Sequence, residues 1–173
     1  MSRRISLREF QEQLSQRIAQ AGTVAREAVR LCAVAGTERW MIELPDAGEV
    51  VPVPELTPVP RTRPWFRGIA NVRGALFSVV DLAGFLGQAP TALREDSRLL
   101  LVGQRFGTSA ALLVDRVLGL RKLSEFTPGP AAVKLEEAAP WTGEASRDAD
   151  GQSWRHLDVA ALLADEEFLR VGA

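Results

Sequence analysis

Hydrophobic and polar positions change period along the chain. Leu7, Phe10, Leu14, Ile18 and Ala21 recur at steps of three and four, the spacing of one apolar stripe on a helix. Ser6 and Glu9 form a capping box, Ile5 and Phe10 hold the staple positions, and Gly22 is a C-terminal stop. The pattern predicts a helix ending near residue 22, docked on its own domain, on a partner or on a membrane surface. From about residue 27 the character changes to short strands. Val29–Val34 and Glu38–Leu44 flank Gly36-Thr37, a hairpin signal. Six of the ten prolines lie between Pro45 and Pro64, which forbids helix and central strand and leaves an edge strand with an extended connection. Two β-rich runs then meet at Asn71-Val72-Arg73-Gly74, where Gly74 supplies the positive φ of a turn. Asp81 stands as an N-cap before the short apolar run Leu82–Leu86. Strands are expected at Arg98–Arg105, Thr108–Val114 and Val117–Leu123. Residues 124–152 have little periodicity and read as surface loop. The chain ends with a strand at Trp154–Leu157, Asp158 as a second N-cap, and a helix from Val159 to about Arg170.

One internal echo is visible. Val80-Asp81-Leu82-Ala83-Gly84-Phe85-Leu86 matches Leu157-Asp158-Val159-Ala160-Ala161-Leu162-Leu163, 77 residues later. Each is a strand running into an Asp-capped helix. The echo predicts two similar β subdomains rather than a single sandwich.

The length of 173 residues corresponds to about one domain with a short extension: a helical extension over 1–26 and a domain over 27–173. Hydrophobic residues at 46% and charged residues at 25% are ordinary globular values, which excludes wholesale disorder, collagen and coiled-coil rod. Net charge is −1, but residues 1–123 carry 17 basic and 12 acidic side chains, whereas 124–173 carry 4 and 10. A nucleic-acid binder needs a basic excess to neutralise phosphates, and this balance argues against one. With one cysteine, Cys32, and one histidine, His156, neither an intrachain disulfide nor a Cys/His metal cluster can be built. The absence of a long apolar run argues against membrane insertion, and a reduced cytoplasmic compartment fits best.

Catalysis finds little support. His156 lies in an expected strand and reads as structural; Cys32 alternates with apolar residues and reads as a buried thiol. No nucleophile elbow, Walker loop or dinucleotide fingerprint is present. Asp81 and Asp158 are explained by capping. No cofactor or metal is expected. The arginines carry more information. Between Leu56 and Val80 there are no acids and four arginines, Arg61, Arg63, Arg67 and Arg73. Arg61 and Arg63 read as solvated loop residues. Arg73 sits in a tight turn, which fixes its guanidinium in direction, suited to a bidentate contact with a partner or to an internal salt bridge.

The block Trp65-Phe66-Arg67-Gly68-Ile69-Ala70-Asn71-Val72-Arg73-Gly74, followed by Val79-Val80-Asp81-Leu82, resembles the signature of CheW-like domains. Trp40–Leu44 with Glu49–Val53, and Leu113–Leu120, are similar to that family's early and later strands. The proline-rich path to Trp65, the N-terminal extension and the ending Leu157–Phe168 resemble its twitching-motility branch. The resemblance covers about residues 29–170. It implies a mainly β fold of two five-stranded SH3-like barrels, with N- and C-terminal helices. It implies a non-enzymatic cytoplasmic adaptor, associated with receptor arrays at the inner membrane. Such an adaptor joins the CheW-like regulatory domain of a CheA-like histidine kinase to the cytoplasmic tip of a chemoreceptor, here for type IV pili or, alternatively, for flagella. Position by position, it implies that Asn71, Arg73 and Gly74 form a receptor-linked turn. Glu49 and Val50 fall in an early partner-contact region, and Val114 and Val117 in a facing one. Ala70, Ala75 and Ala47-Gly48 are smaller than the family pattern has there. The rivals are an RNA-binding SH3-like barrel using Arg61–Arg73 and a small hydrolase.

Overall fold

The computed structural model describes residues 28–129 and 139–173. The helix expected near the N-terminus lies outside the described residues. Among the described residues, twelve strands make two six-stranded sheets. In chain order they are β1 (Val29–Ala35), β2 (Glu38–Glu43), β3 (Ala47–Pro52), β4 (Leu56–Thr57), β5 (Phe66–Val72), β6 (Ala75–Asp81), β7 (Arg98–Val102), β8 (Ala110–Val114), β9 (Arg116–Lys122), β10 (Thr127–Pro128), β11 (Thr142–Arg147) and β12 (Ser153–Leu157). Three short helices follow the capping aspartates: α1 (Leu82–Phe85), α2 (Val159–Ala164) and α3 (Glu166–Leu169).

The first sheet has the order β10-β11-β12-β2-β1-β9 and the second the order β4-β5-β6-β8-β7-β3. Each is built from four consecutive strands (β9–β12 or β3–β6) plus a pair supplied by another part of the chain (β1–β2 or β7–β8). In both, the last strand of the four joins the inserted pair in parallel, β12 to β2 and β6 to β8, while the first joins it antiparallel. The echo seen in the sequence is thus one corner of a repeated architecture. The second sheet is contiguous in the chain; the first needs both ends. Six strands per sheet, rather than five, arise because the two-residue strands β4 and β10 extend the outer edges.

The repeat extends to hydrogen bonds. Asp81 donates its backbone N–H to the Trp65 carbonyl at 2.8 Å, and Asp158 donates to that of Trp141 at 2.9 Å. Each tryptophan immediately precedes a strand, β5 or β11. Each aspartate side chain caps its helix, accepting from Gly84 or Ala161. The expected long C-terminal helix is instead two short ones, because Asp165 ends α2 and caps α3 by accepting from Glu167 and Phe168.

The main core lies between the sheets and draws on both: Leu31, Trp40 and Ile42 from one, Val80, Leu100 and Leu112 from the other. Trp40, Trp65, Phe85, Trp141 and Phe168 form an aromatic chain within it, with ring centroids 5.2–6.5 Å apart. Each sheet also buries its other face. Val51, Ala70, Val79, Leu99, Leu101, Ala111 and Leu113 do so on the second sheet; Cys32, Met41, Phe126 and Trp154 do so on the first. Strand β8, apolar throughout and buried at every position, is the expected sequence of a strand covered on both faces. The proline-rich stretch holds β3 and β4, the two edges of their sheet, as the missing N–H groups require. The stretch read as surface loop contains β10 and β11.

Candidate functional site

Strands β5 and β6 are joined by the two-residue turn Arg73-Gly74, with Val72 paired to Ala75. Both turn residues have positive φ, +52° and +89°, as the twist of a tight hairpin demands. Asn71 secures the turn, its Oδ1 accepting the Gly74 N–H at 2.8 Å. A left-handed backbone at a non-glycine residue is uncommon, and here it aims the Arg73 side chain.

That side chain meets Glu49 of β3 fork to fork. Nη1 lies 2.9 Å from Oε2 and Nη2 lies 2.7 Å from Oε1. Both groups face solvent, the Arg73 side chain at 75% and that of Glu49 at 45% exposure. Val50, beside Glu49, is also exposed. Four of the expected site residues, Glu49, Asn71, Arg73 and Gly74, therefore form one hydrogen-bonded group, with Val50 at its side.

Val114 and Val117 belong elsewhere. Residue Ser78 of β6 pairs with Ala110 and Asp81 with Leu113, so the Arg73 turn projects past the Ala110 end of β8. Val114 closes the opposite end, paired with Arg98. Its side chain is fully buried in the main core, so it shapes the surface from beneath and offers none of its own. Val117, half-buried on β9, pairs with Ala33 and packs against the same core.

Arg67, one of the four arginines in the acid-free stretch, has a structural role. It binds Asp81 Oδ2 at 2.9 Å and the Thr91 carbonyl at 3.1 Å. Asp81, fully buried, also accepts from the backbone and hydroxyl of Thr91 and from Gly84. The tract after α1 is thereby fastened to the second sheet. Arg63 and Arg61 hold the chain end through their backbones, to Val171 and Ala173.

A comparable hub at Asp148 has no counterpart among the residues singled out from sequence. Its carboxylate accepts from Trp154 Nε1 (2.9 Å), from the Gln152 and Asp150 backbones, and from Arg121 Nη1 (3.2 Å). Burial pushes this carboxyl up, but the hydrogen bonds from Trp154, Gln152, Arg121 and Asp150 outweigh it and hold it below the ordinary aspartate value. Arg121 stacks over Phe126, 4.7 Å from the ring centroid. Nearby, burial pushes the Cys32 thiol up to about 11, which leaves it protonated and unreactive at neutral pH. His156 Nε2 stands 3.9 Å from Glu43, which is also bound by Arg30 at 3.0 Å. Among the described residues no group of three or more His, Cys, Asp or Glu is placed to hold a metal ion. Among them too, no helix is long and apolar enough to cross a membrane.

Rigid strands thus present a directed ion pair beside an apolar residue. The fold and the sequence have known relatives. The crystal structure of scaffolding protein TtCheW from Thermoanaerobacter tengcongensis superposes with a TM-score of 0.61 at 23% identity, covering 76% of this chain and 88% of that one, which shows the shared fold. Protein PilI of Pseudomonas aeruginosa is 33% identical over 138 residues, 79% of this chain and 75% of its own length. Chemotaxis protein CheW of Thermotoga maritima is 34% identical over 119 residues, 67% of this chain and 74% of its own. The family model for the CheW-like domain matches residues 30–167, most of the chain, and the protein belongs to that family.

Proposed function

We propose that this chain is a non-enzymatic adaptor of a chemosensory pathway. It holds the cytoplasmic tip of a chemoreceptor and the CheW-like regulatory domain of a CheA-like histidine kinase in one geometry, so that the state of the receptor biases the equilibrium of the kinase. It works in the cytoplasm, within receptor arrays at the inner membrane, and its pathway controls type IV pilus twitching. Membership of the CheW-like family and the identity with PilI over 79% of the chain support this reading. The single observation that carries the site is the fork between Arg73 and Glu49 on a fixed turn, open to solvent on both sides. An acidic or carbonyl group on the receptor tip competes with Glu49 for a guanidinium already aimed outward. Val50 adds an apolar contact at its side, and Val117 a second contact region on β9.

The test is co-elution of the purified chain with the regulatory domain of its cell's CheA-like kinase and with the receptor tip. Wild type is expected to bind both, and folded Arg73→Ala to lose the receptor tip alone. Folded wild type that binds neither overturns the adaptor role. Binding of a flagellar kinase and not the pilus one moves the protein to flagellar chemotaxis, a reading favoured by the 34% identity with the Thermotoga CheW.

A further inference from the structure

The two repeats differ at a matched pair of strand positions. Counting back three residues from each capping aspartate gives Arg155 on β12 and Ser78 on β6. Arg155 pairs with Trp40 of β2, and Ser78 with Ala110 of β8. Two residues on, both repeats carry apolar pairs that face the main core, Leu157 with Ile42 and Val80 with Leu112. Trp40 and Ala110 face that core as well. The first sheet therefore places an indole where the second places only a methyl group.

The second repeat has open space at this point. A cleft of about 410 Å³ lies between the second sheet and helices α2 and α3, lined by Ser78 and Ala110 and by Ala160 and Ala164 of α2. Phe168 of α3 takes up part of the gap. It stacks on Trp65 with centroids 6.5 Å apart, much as Trp40 packs against Trp141, the counterpart of Trp65, at 5.9 Å. Phe66, Phe106 and Phe168 give the cleft three aromatic walls. None of its lining residues is charged, and only Ser78 and Thr108 bring polar side chains to it.

We propose that this cleft is a binding site for a neutral aromatic small molecule of the indole class, one or two fused rings with a single N–H or O–H. Its volume falls in the range of small-ligand sites, roughly 300–1,000 Å³. The walls select the chemistry. Three phenyl rings favour edge and face contacts with another ring. The uncharged lining disfavours an ion, which would leave water without a partner. The Ser78 or Thr108 hydroxyl accepts the one polar hydrogen. The repeat supplies the precedent, since an indole on the matching strand pair is already packed in the same core.

The test titrates the full chain with indole, read by methyl NMR shifts, with cyclohexanol as the aliphatic control. Saturable shifts confined to Val80, Leu163, Leu169 and Val171, which line the cleft, are expected. The expected Kd is about 1 mM, within the ceiling for so small a ligand. Cyclohexanol, lacking ring-to-ring contacts, should bind about tenfold more weakly. Ala110→Trp puts the first repeat's tryptophan into the second and should abolish the shifts in a folded chain. Should that variant fail to fold, Ala164→Trp closes the cleft from an exposed position and should weaken indole by about tenfold. No saturable shift, shifts spread over the surface, equal binding of cyclohexanol, or unaltered binding in either folded variant overturns the proposal.

Discussion

Arg73 grips Glu49 with both ends of its guanidinium although their strands are not neighbours. Between β3 and β6 the sheet order inserts β7 and β8. Three strand steps on a flat sheet would separate the two backbones by about 14 Å, close to the full combined reach of an arginine and a glutamate side chain. The left-handed turn aims the guanidinium toward Glu49. The strength of the pair is another matter, since both groups are largely in water. Exposed pairs contribute roughly 0.2–1 kcal/mol. Arg73→Ala and Glu49→Ala should each leave the urea midpoint nearly unchanged, and their double-mutant cycle should give a coupling below about 1 kcal/mol. A coupling several times larger would make the fork a structural clamp, poorly suited to opening for a partner.

The two capping aspartates occupy equivalent places but should not cost the same to remove. Asp158 accepts from Ala161 at an exposed helix start, and Asp158→Ala should lose about 1 kcal/mol, the ordinary value of an N-cap. Asp81 is fully buried and also holds Thr91 and Arg67. Asp81→Ala strands those partners, and a loss of about 3 kcal/mol is expected, toward the low end for a broken buried pair because Arg67 is partly exposed. Chemical denaturation of the two variants measures the difference. Equal losses would mean that the capping bond alone matters at Asp81.

Much of this fold was legible because its strands bury apolar residues and its helices start at aspartates. Strand β11 was hidden for the opposite reason: Thr-Gly-Glu-Ala-Ser-Arg has no buried residue and is a strand only because β10 and β12 pair with it. A signal was present nonetheless. Trp141 stands 17 residues before Asp158 as Trp65 stands 16 before Asp81, and extending the echo to the tryptophans would have placed a strand after Trp141. The exchange of strand pairs between repeats has no local signature, since it depends on which edge each pair meets. The Arg73 turn was readable from Asn71 and Gly74, but its partner Glu49, 24 residues away, depends on the strand order of the sheet. Val114 could not be told from a surface valine by type; the central place of β8 in its sheet put it inside.

Asp148 gives the stability an acid limb. Its carboxyl is held below the ordinary value, about 3.9 in an unfolded chain. A group whose folded value is depressed contributes stability that is fully present above the unfolded value and is lost as pH falls through the folded one. Asp148→Asn should therefore lower stability at pH 7, on the order of 1–3 kcal/mol for charge-assisted bonds to Arg121, Trp154 and two backbone amides. The gap between variant and wild type should narrow below about pH 4, as the wild-type carboxylate protonates. Urea unfolding at several pH values checks both. A gap independent of pH would mean that the carboxylate charge is not what holds Arg121 and Trp154.

Two glycines of the signature block separate turn from contact. Gly68 has φ +113°, and a Cβ there would stand 2.1 Å from the Thr57 carbonyl oxygen, where β4 pairs with β5. Gly68→Ala has both a strained backbone and a clash with main chain, so it should lose about 2 kcal/mol or more and detach β4. Gly74 has φ +89°, and a Cβ there would find nothing within 4 Å. Gly74→Ala meets only the conformational penalty, about 1–2 kcal/mol, and the chain should stay folded with the Arg73 fork in place. Its affinity for the receptor tip should then fall less than that of Arg73→Ala. If Gly74→Ala abolishes tip binding while its circular dichroism and urea midpoint stay near wild type, the partner's main chain must press against the turn where a methyl would intrude. Gly74 would then be a contact residue in its own right.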